Sequence, residues 1–366
     1  MEKSDLELLF SIIKAGMKGE SLSLSTLNEN SDLFRVIKEQ TFHPFLYPIS
    51  KDNRFKKYYL ASYLLVEQFN KNGELLKSIF DDNEIDHVFL KGYELRKLYV
   101  DPVLRLSGDL DILVREKDYK KAKKILLENG ASFIDECEHH AEFKLNNVIV
   151  ELHRLLIPSS EKYASYFSSP FDNVIVDNNF TYKFDSAYNL SYILAHYIKH
   201  LYSGAGLREL CDVYIILEKE EIDFDKFNKF LKEFKLVKFF STVLSELKIL
   251  FDFDKIEFEF NKSSYDLISY SLMSGIHGHG KNNERMENWQ RNVKENKFVF
   301  LLKKLFLPVK AMFRIYPWTK SIILLPFGYV VRFFYLITKR FDWFKKVAKA
   351  KNNKDEDLFK EIGLKE

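Results

Sequence analysis

Two aspartates, Asp109 and Asp111, lie two positions apart in the apolar segment GDLDILV. Side chains alternate between the two faces of a strand, so the pattern predicts both carboxylates on one face and Leu110 and Ile112 on the other. Two like charges so close together need a cation between them. Magnesium accepts one or two carboxylates together with substrate phosphates and water, so the pair predicts a magnesium site, with manganese as an alternative ion. The alternative interpretation is a solvated strand edge that binds nothing.

A third carboxylate on a neighbouring strand would complete a site for two ions. The segment EFKLNNVIVELH has the pattern of a β-hairpin with its turn at Asn146 and Asn147. Alternation along its second strand puts Ile149, Glu151 and His153 on one face, so Glu151 is the natural third acid. In two-metal phosphoryl chemistry, one ion activates the attacking oxygen and the other offsets charge on the leaving pyrophosphate.

A cation and a glycine, Lys91 and Gly92, follow a short apolar strand predicted over residues 86–90 and precede a helical pattern. Gly92 allows the backbone to approach a phosphate closely, and Arg105 offers the planar donors of a guanidinium. We therefore interpret Lys91, Gly92 and Arg105 as phosphate contacts. The alternative interpretation is a turn that ends the strand, followed by a surface cation.

Two histidines, His196 and His200, are four residues apart in a helical pattern and so could project from one face toward a shared ligand. A stacked pair at a helix interface is the alternative, because the spacing places no third zinc ligand beside them. Arg208 and Asp212 are also four residues apart, which predicts an ion pair along one helix.

The size and composition favour an intracellular protein of two or three packed units, since the chain has 366 residues and is 46% hydrophobic. Its two cysteines, Cys137 and Cys211, are far apart and have no metal-like spacing, so neither a disulfide framework nor a zinc cluster is predicted. The first residues lack the basic, apolar and small-residue regions of a secretory signal. We therefore expect a cytoplasmic location.

The charge is distributed unevenly along the chain. The net charge is only +3, yet residues 297–354 contain fourteen Lys or Arg, fourteen aromatic residues and a single acid. A membrane-spanning helix is disfavoured there, because the apolar run over 322–331 contains Pro326 and Gly328 and falls short of about 20 residues. Three interpretations stay open: a basic helix lying on the inner face of an anionic membrane, a nucleic-acid contact, and a helical extension packed on the body.

The motifs above resemble a known family. The segments LKGYELRKLYVDPVLRLSGDLDILV, VELH and GLRELCD are similar to those of the uncharacterised nucleotidyltransferases of the DNA polymerase beta-like superfamily. The resemblance covers most of residues 80–280, with the difference that Tyr93 follows Gly92 where the superfamily commonly has serine or glycine. It implies a small mixed β-sheet that carries Asp109 and Asp111 as metal ligands and Glu151 as a third acid on a later strand.

The resemblance also implies an activity, the transfer of a nucleoside monophosphate from a nucleoside triphosphate to an acceptor, with release of pyrophosphate. The acceptor would be a protein, an RNA or a small sugar. It implies a cleft-facing position for the GLRELCD motif, and the candidate nucleotide-binding residues are then Lys91, Gly92, Arg105, His196, His200 and Arg208. A non-catalytic nucleotide-binding or regulatory module, held at a membrane surface by its basic segment, is the alternative.

These patterns together predict an α+β fold of four parts. Residues 1–80 and 159–296 show helical periodicity, the latter from about Ser160 onward, and flank an α/β core over 81–158. The basic, aromatic extension follows over 297–366.

Overall fold

The computed structural model of the chain describes residues 3–201, 205–274, 305–320, 323–339 and 356–365. Within these ranges, fourteen α-helices and seven β-strands form an α+β fold, which confirms the predicted class. The strands are β1 (His87–Phe89), β2 (Asp109–Val114), β3 (Ser132–Glu136), β4 (His140–Leu145), β5 (Val148–His153), β6 (Val174–Asn178) and β7 (Thr181–Phe184).

The helices lie on both sides of the sheet in sequence, as predicted. They are α1 (Lys3–Lys18), α2 (Asp32–Glu39), α3 (Leu46–Ser50), α4 (Asn53–Asp82), α5 (Lys91–Leu95), α6 (Tyr119–Glu128), α7 (Ser186–Leu201), α8 (Arg208–Lys219), α9 (Phe224–Glu233), α10 (Val237–Phe251), α11 (Ser264–Ser274), α12 (Val309–Ile315), α13 (Leu325–Lys339) and α14 (Glu356–Glu361). The helical patterns read from the first 80 residues correspond to α1, α2 and α4.

The seven strands form one mixed sheet in the order β3-β4-β5-β2-β1-β7-β6. The central strand β2 pairs antiparallel with β1 and parallel with β5. In the β2–β5 register, Asp111 lies opposite Glu151 and Leu113 lies opposite His153. Because paired residues in register point to the same face, this pairing puts acids from two distant segments side by side.

The two faces of β2 pack against different parts of the protein. Leu110 and Ile112 are fully buried in a core shared with Phe80 of α4 and Leu126 of α6. Leu113, on the opposite face, joins the larger core formed with the helices. The carboxylates of β2 therefore lie on the face of the sheet that packs against α7 and α8, and Leu110 and Ile112 anchor the strand in the core on the other face.

The hairpin between β4 and β5 turns where the sequence predicts. Asn146 and Asn147 have φ values of 47° and 66°. Asparagine tolerates this left-handed region better than most residues, which suits it to a two-residue hairpin turn. Cross-strand pairing runs from Leu145 and Val148 out to His140 and His153.

A second hairpin lies where we predicted helix. Strands β6 and β7 fall within the range after Ser160 for which the sequence predicted only helices, so that prediction is wrong for residues 174–184. These strands have five and four residues, and β6 is mostly exposed at the edge of the sheet. Strands so short and so exposed carry too little apolar alternation to be read from sequence. Helical structure resumes at Ser186, as expected.

Two helices of the basic extension, α12 and α13, contact the part of the chain that carries the sheet. Arg314, in α12, lies 2.9 Å from Glu116, and the Tyr335 hydroxyl of α13 donates to Asp135 at 2.9 Å. Among the helices that the structure describes, none has both the length and the apolar character to cross a membrane. The Gly- and Asn-rich stretch from Gly275 and the basic residues of 340–354 lie outside the described residues.

Candidate functional site

Three acids meet on the face of the sheet that packs against α7 and α8. Asp109 and Asp111 come from β2 and Glu151 from β5, and one carboxylate oxygen of each lies within 4.8 Å of the others. Asp111 is the most enclosed, with 2% of its surface exposed. The structure thus brings together the three residues that the sequence singled out.

Lys91 reaches this cluster from the end of β1. Its Nζ lies 2.9 Å from Asp111 Oδ1. The backbone of Lys91 has a φ of 46°, a left-handed conformation that a non-glycine residue adopts at a cost of order 1–3 kcal/mol. This strain lies at the junction of β1 and α5 and turns the chain so that the ammonium enters the cluster. The candidate phosphate-binding lysine is therefore an internal partner of the acids.

His153, the last residue of β5, completes the cluster. Its Nε2 lies 3.0 Å from Asp111 Oδ1 and 3.2 Å from Glu151 Oε2, in a fully enclosed position. The sequence placed His153 on the same strand face as Glu151 but assigned it no role. The signal was its spacing of two residues from the third acid.

The charges of the cluster are strongly coupled. Burial opposes ionisation of Asp111, but Lys91 and the hydrogen bond from His153 outweigh it and hold the pKa of Asp111 well below its usual range. The charge of Asp111, with burial second, raises the pKa of Asp109 to about 6. Burial lowers the pKa of His153, yet its bonds to Asp111 and Glu151 leave it above the ordinary value. Lys91 and the hydrogen bond from His153 therefore stabilise the negative charge of Asp111.

Gly92 packs tightly and does not face an open cleft. A Cβ at this position would lie 1.8 Å from Ser107 Oγ. The buried Arg96 joins the same two residues, since its Nε donates to the Gly92 carbonyl at 3.0 Å and its Nη2 to Ser107 Oγ at 3.0 Å. The glycine is therefore needed for the close approach of α5 to the segment that leads into β2.

Arg105 lies in a buried ion pair, which corrects two expectations. Its Nε and Nη2 donate to the two carboxylate oxygens of Asp212, each at 2.7 Å, and the Tyr99 hydroxyl donates to the same carboxylate at 2.8 Å. The expected pairing of Arg208 with Asp212 is wrong, because α8 turns Asp212 toward the segment before β2. Arg105 is thus a positioning residue whose fork is already occupied, not a free phosphate ligand.

Arg208 is the first residue of α8, and its charge acts on Asp109. Its Nη2 is 3.6 Å from Glu209, its Nη1 donates to the Leu106 carbonyl at 3.4 Å, and its buried Nε has no hydrogen-bond partner among the described residues. Its positive charge is among those that favour ionised Asp109. An arginine so placed has donor capacity left for an anion.

The two histidines of α7 contact each other. The Nε2 atoms of His196 and His200 are 3.0 Å apart, which matches the stacked-pair alternative. Burial, followed by the charges of His200 and Lys91, holds the pKa of His196 well below its ordinary value. The same helix brings Tyr192 against Lys91, where burial raises the pKa of the tyrosine well above its ordinary value. That tyrosine carried no recognisable signal in the sequence.

The donor set of the three acids suits a hard cation. Asp109, Asp111 and Glu151 offer only carboxylate oxygens, the ligands that magnesium and manganese prefer over soft metals. Lys91 and His153 both contact Asp111, so an ion bound by this carboxylate would share it with them. The residues therefore fit the implied ions.

Comparison with known proteins agrees with this geometry. No curated protein matches the chain. The family model described as an uncharacterised nucleotidyltransferase matches residues 37–252, which is more than half of the chain and includes the sheet, the three acids, α7 and α8. This chain belongs to that uncharacterised nucleotidyltransferase family.

Proposed function

We propose that this chain transfers a nucleoside monophosphate from a nucleoside triphosphate to a hydroxyl or phosphate of an acceptor, with release of pyrophosphate. One observation carries the proposal: the parallel register of β2 and β5, which groups three carboxylates within 4.8 Å. Membership of a nucleotidyltransferase family supports the same chemistry.

The residues divide into acids and cations. Asp109 and Asp111 would hold magnesium or manganese, and Glu151 would either bind the second ion or help to take the proton of an acceptor hydroxyl. Bound ions of this kind activate the attacking oxygen and stabilise the pyrophosphate that leaves. Lys91 and Arg208 bind the triphosphate as cations.

The remaining candidate residues position or border the acids and cations. Gly92 and Arg105 position the segments that carry Lys91 and the β2 acids, through their contacts with Ser107 and Asp212. The histidine pair of α7 borders the triphosphate, which is supported by the effect of the Lys91 and Arg208 charges on the pKa of His196.

The experiment is a turnover screen of the four labelled nucleoside triphosphates with magnesium against protein, RNA and small-sugar acceptors. We expect Asp109→Asn and Glu151→Gln to lower the rate at least about 100-fold, since each removes a charged ligand from the acids. Glu128→Gln, an exposed acid on α6, is the matched control and should keep full activity. Asp109→Asn and Asp111→Asn proteins that turn over as fast as wild type would refute the assignment.

One observation favours a second candidate, a non-catalytic nucleotide-binding or regulatory module. The Lys91 ammonium and His153 both contact Asp111, so the charge of this carboxylate is compensated without a metal ion. Calorimetry with ATP, GTP, CTP and UTP in the presence of magnesium separates the two candidates. Binding without turnover supports the non-catalytic module. If no nucleotide binds, both candidate functions are excluded.

We also propose that the basic extension, residues 297–354, holds the protein at the inner face of an anionic membrane from the cytoplasmic side. Helix α13 leaves Phe327 and Phe334 exposed by 62% and 60%, with Arg332 on the same helix. Apolar burial and cationic attraction together drive such interfacial binding. Co-sedimentation with anionic liposomes should fall in a Phe327→Ser/Phe334→Ser protein and be absent with neutral liposomes. Equal co-sedimentation of variant and wild type would contradict the proposal.

A further inference from the structure

A second cluster of metal-ligating side chains lies beside the three acids, in the connection between β3 and β4. The Sγ of Cys137 and one ring nitrogen each of His139 and His140 lie within 4.8 Å of one another. Cys137 Sγ and His139 Nδ1 are 3.2 Å apart, and the two imidazole rings are 4.3 Å apart between centroids. The cluster combines one soft sulfur and two nitrogen donors, unlike the oxygen donors of the acids.

The spacing of these donors fits a tetrahedral ion. Zinc binds cysteine sulfur at about 2.3 Å and histidine nitrogen at about 2.0–2.1 Å, which places neighbouring ligand atoms roughly 3.5 Å apart. The 3.2 Å between Cys137 and His139 is close to that separation. Small side-chain rotations suffice to bring all three donors onto one ion.

The contacts of His140 provide an independent indication. Its Nε2 lies 3.4 Å from Glu142 Oε1, and its buried Nδ1, which makes no hydrogen bond among the described residues, lies 3.6 Å from Glu151 Oε2. A carboxylate on one ring nitrogen and a metal on the other is the usual arrangement of a ligating histidine. The buried Nδ1 thus makes no hydrogen bond among the described residues, and a metal ion bound there would have Glu151 beside it.

The backbone of the connection is held in place from β5. Arg154 donates to the carbonyls of Glu138 and Cys137 at 2.9 Å and 3.0 Å, and its own N–H donates to the His139 carbonyl at 2.9 Å. The Cys137 N–H also donates to the His140 carbonyl at 2.9 Å. Ligands on a backbone fixed in this way need little reorganisation to bind an ion.

We propose that Cys137, His139 and His140 form a zinc site, with the fourth position open to water. Three protein ligands and one open position are typical of catalytic rather than structural zinc sites. Cysteine spacing alone predicted no zinc cluster, because two of the three ligands are histidines and only the turn between β3 and β4 gathers them. The proposal stands whether or not the neighbouring acids support nucleotidyl transfer.

The test uses the full chain, stripped of metal and titrated with Co²⁺ as a spectroscopic substitute for zinc. Wild type should show the near-ultraviolet absorption of a sulfur-to-cobalt charge transfer at one equivalent. Cys137→Ser should lose this absorption, and its Zn²⁺ affinity, measured by competition with a chelator, should fall at least about 100-fold. Cys211→Ser, which alters the buried cysteine of α8, should behave as wild type.

Two further variants separate the site from its surroundings. Glu142→Gln should keep the absorption but weaken zinc binding by about 10-fold, as expected for a residue that only orients a ligand. Asp109→Asn should change neither the Co²⁺ absorption nor the Zn²⁺ affinity. A failure of the nucleotidyl-transfer proposal therefore does not affect the zinc proposal. If Cys137→Ser does not fold, His139→Gln tests the zinc affinity instead, which should fall at least about 100-fold although the sulfur ligand remains. Absence of the charge-transfer band in wild type, or unchanged zinc affinity in the ligand variants, would overturn the proposal.

Discussion

The buried ion pair between Arg105 and Asp212 leads to a quantitative prediction about stability. Both side chains are almost fully enclosed, and two charge-assisted hydrogen bonds of 2.7 Å join them. Asp212→Asn preserves the shape of the carboxylate but removes its charge, so the guanidinium stays buried without compensation. Breaking a buried pair in this way costs about 3–5 kcal/mol, and we expect a loss of that size in the free energy of unfolding.

The assay is urea denaturation of wild type and variant under the same conditions. An exposed pair provides the contrast: Arg35 and Asp32 lie 2.7 Å apart, but their side chains are 44% and 80% exposed. Because water screens such a pair, Asp32→Asn should cost less than about 0.5 kcal/mol. Both variants remove one carboxylate charge from an ion pair, so the difference between their losses in free energy of unfolding measures the effect of burial.

A compensating variant tests the same reasoning from the other side. Tyr99→Phe/Arg105→Met/Asp212→Leu removes the buried charges together with the hydroxyl that donates to Asp212. Apolar replacements of similar volume often restore or exceed the stability of a buried pair, so most of the loss in Asp212→Asn should be recovered. A loss below about 1 kcal/mol in Asp212→Asn would refute the view that the pair is desolvated.

Three further perturbations act at single positions. Gly92→Ala adds a Cβ 1.8 Å from Ser107 Oγ and should cost about 1–3 kcal/mol in urea unfolding, whereas Gly108→Ala, with open space around it, should cost less than about 0.5 kcal/mol. Burial lowers the pKa of His43 to about 4, so the unfolded chain binds a proton that the folded chain does not as pH falls below 6.5. Going from about pH 7.5 to about pH 5 should therefore cost wild type about 2 kcal/mol more than His43→Gln. Asn147 has a φ of 66°, which glycine adopts more readily, so Asn147→Gly should raise the free energy of unfolding by about 0.5 kcal/mol in thermal or urea unfolding.

Each of these expectations has a distinct contrary outcome. Equal stability of Gly92→Ala and wild type would mean that Ser107 moves aside without cost. Matching pH profiles for wild type and His43→Gln would assign the pH dependence to other groups. A less stable Asn147→Gly protein would mean that the asparagine side chain contributes more than its backbone conformation costs.

The sequence predicted the acids because strand alternation is a local property. Asp109 and Asp111 share a face wherever the strand lies, and the Asn146-Asn147 turn fixes which residues of the following strand point with Glu151. The pairing of β2 with β5 is not local, since no pattern in either strand specifies its neighbour. The family resemblance supplied that step, and the structure supplied the register.

The polar partners of the site were beyond the reach of the sequence. Arg105 and Asp212 are separated by 107 positions, and the nearer cation at Arg208 made a more obvious partner for Asp212. His153 was placed on the correct face, but only the three-dimensional arrangement joins it to two carboxylates at once. Ion pairs across a core depend on how elements pack, which sequence periodicity does not encode.

Under the proposed function, the 2.9 Å contact between the Lys91 ammonium and Asp111 couples the binding of a phosphate to the binding of a cation. A phosphate that draws Lys91 away leaves Asp111 with more negative charge for a cation, and a cation at Asp111 releases Lys91 for a phosphate. Linkage requires each to raise the affinity for the other by the same factor. Titrations of magnesium alone and of nucleotide alone would both report weak binding, and the joint affinity would exceed what either suggests.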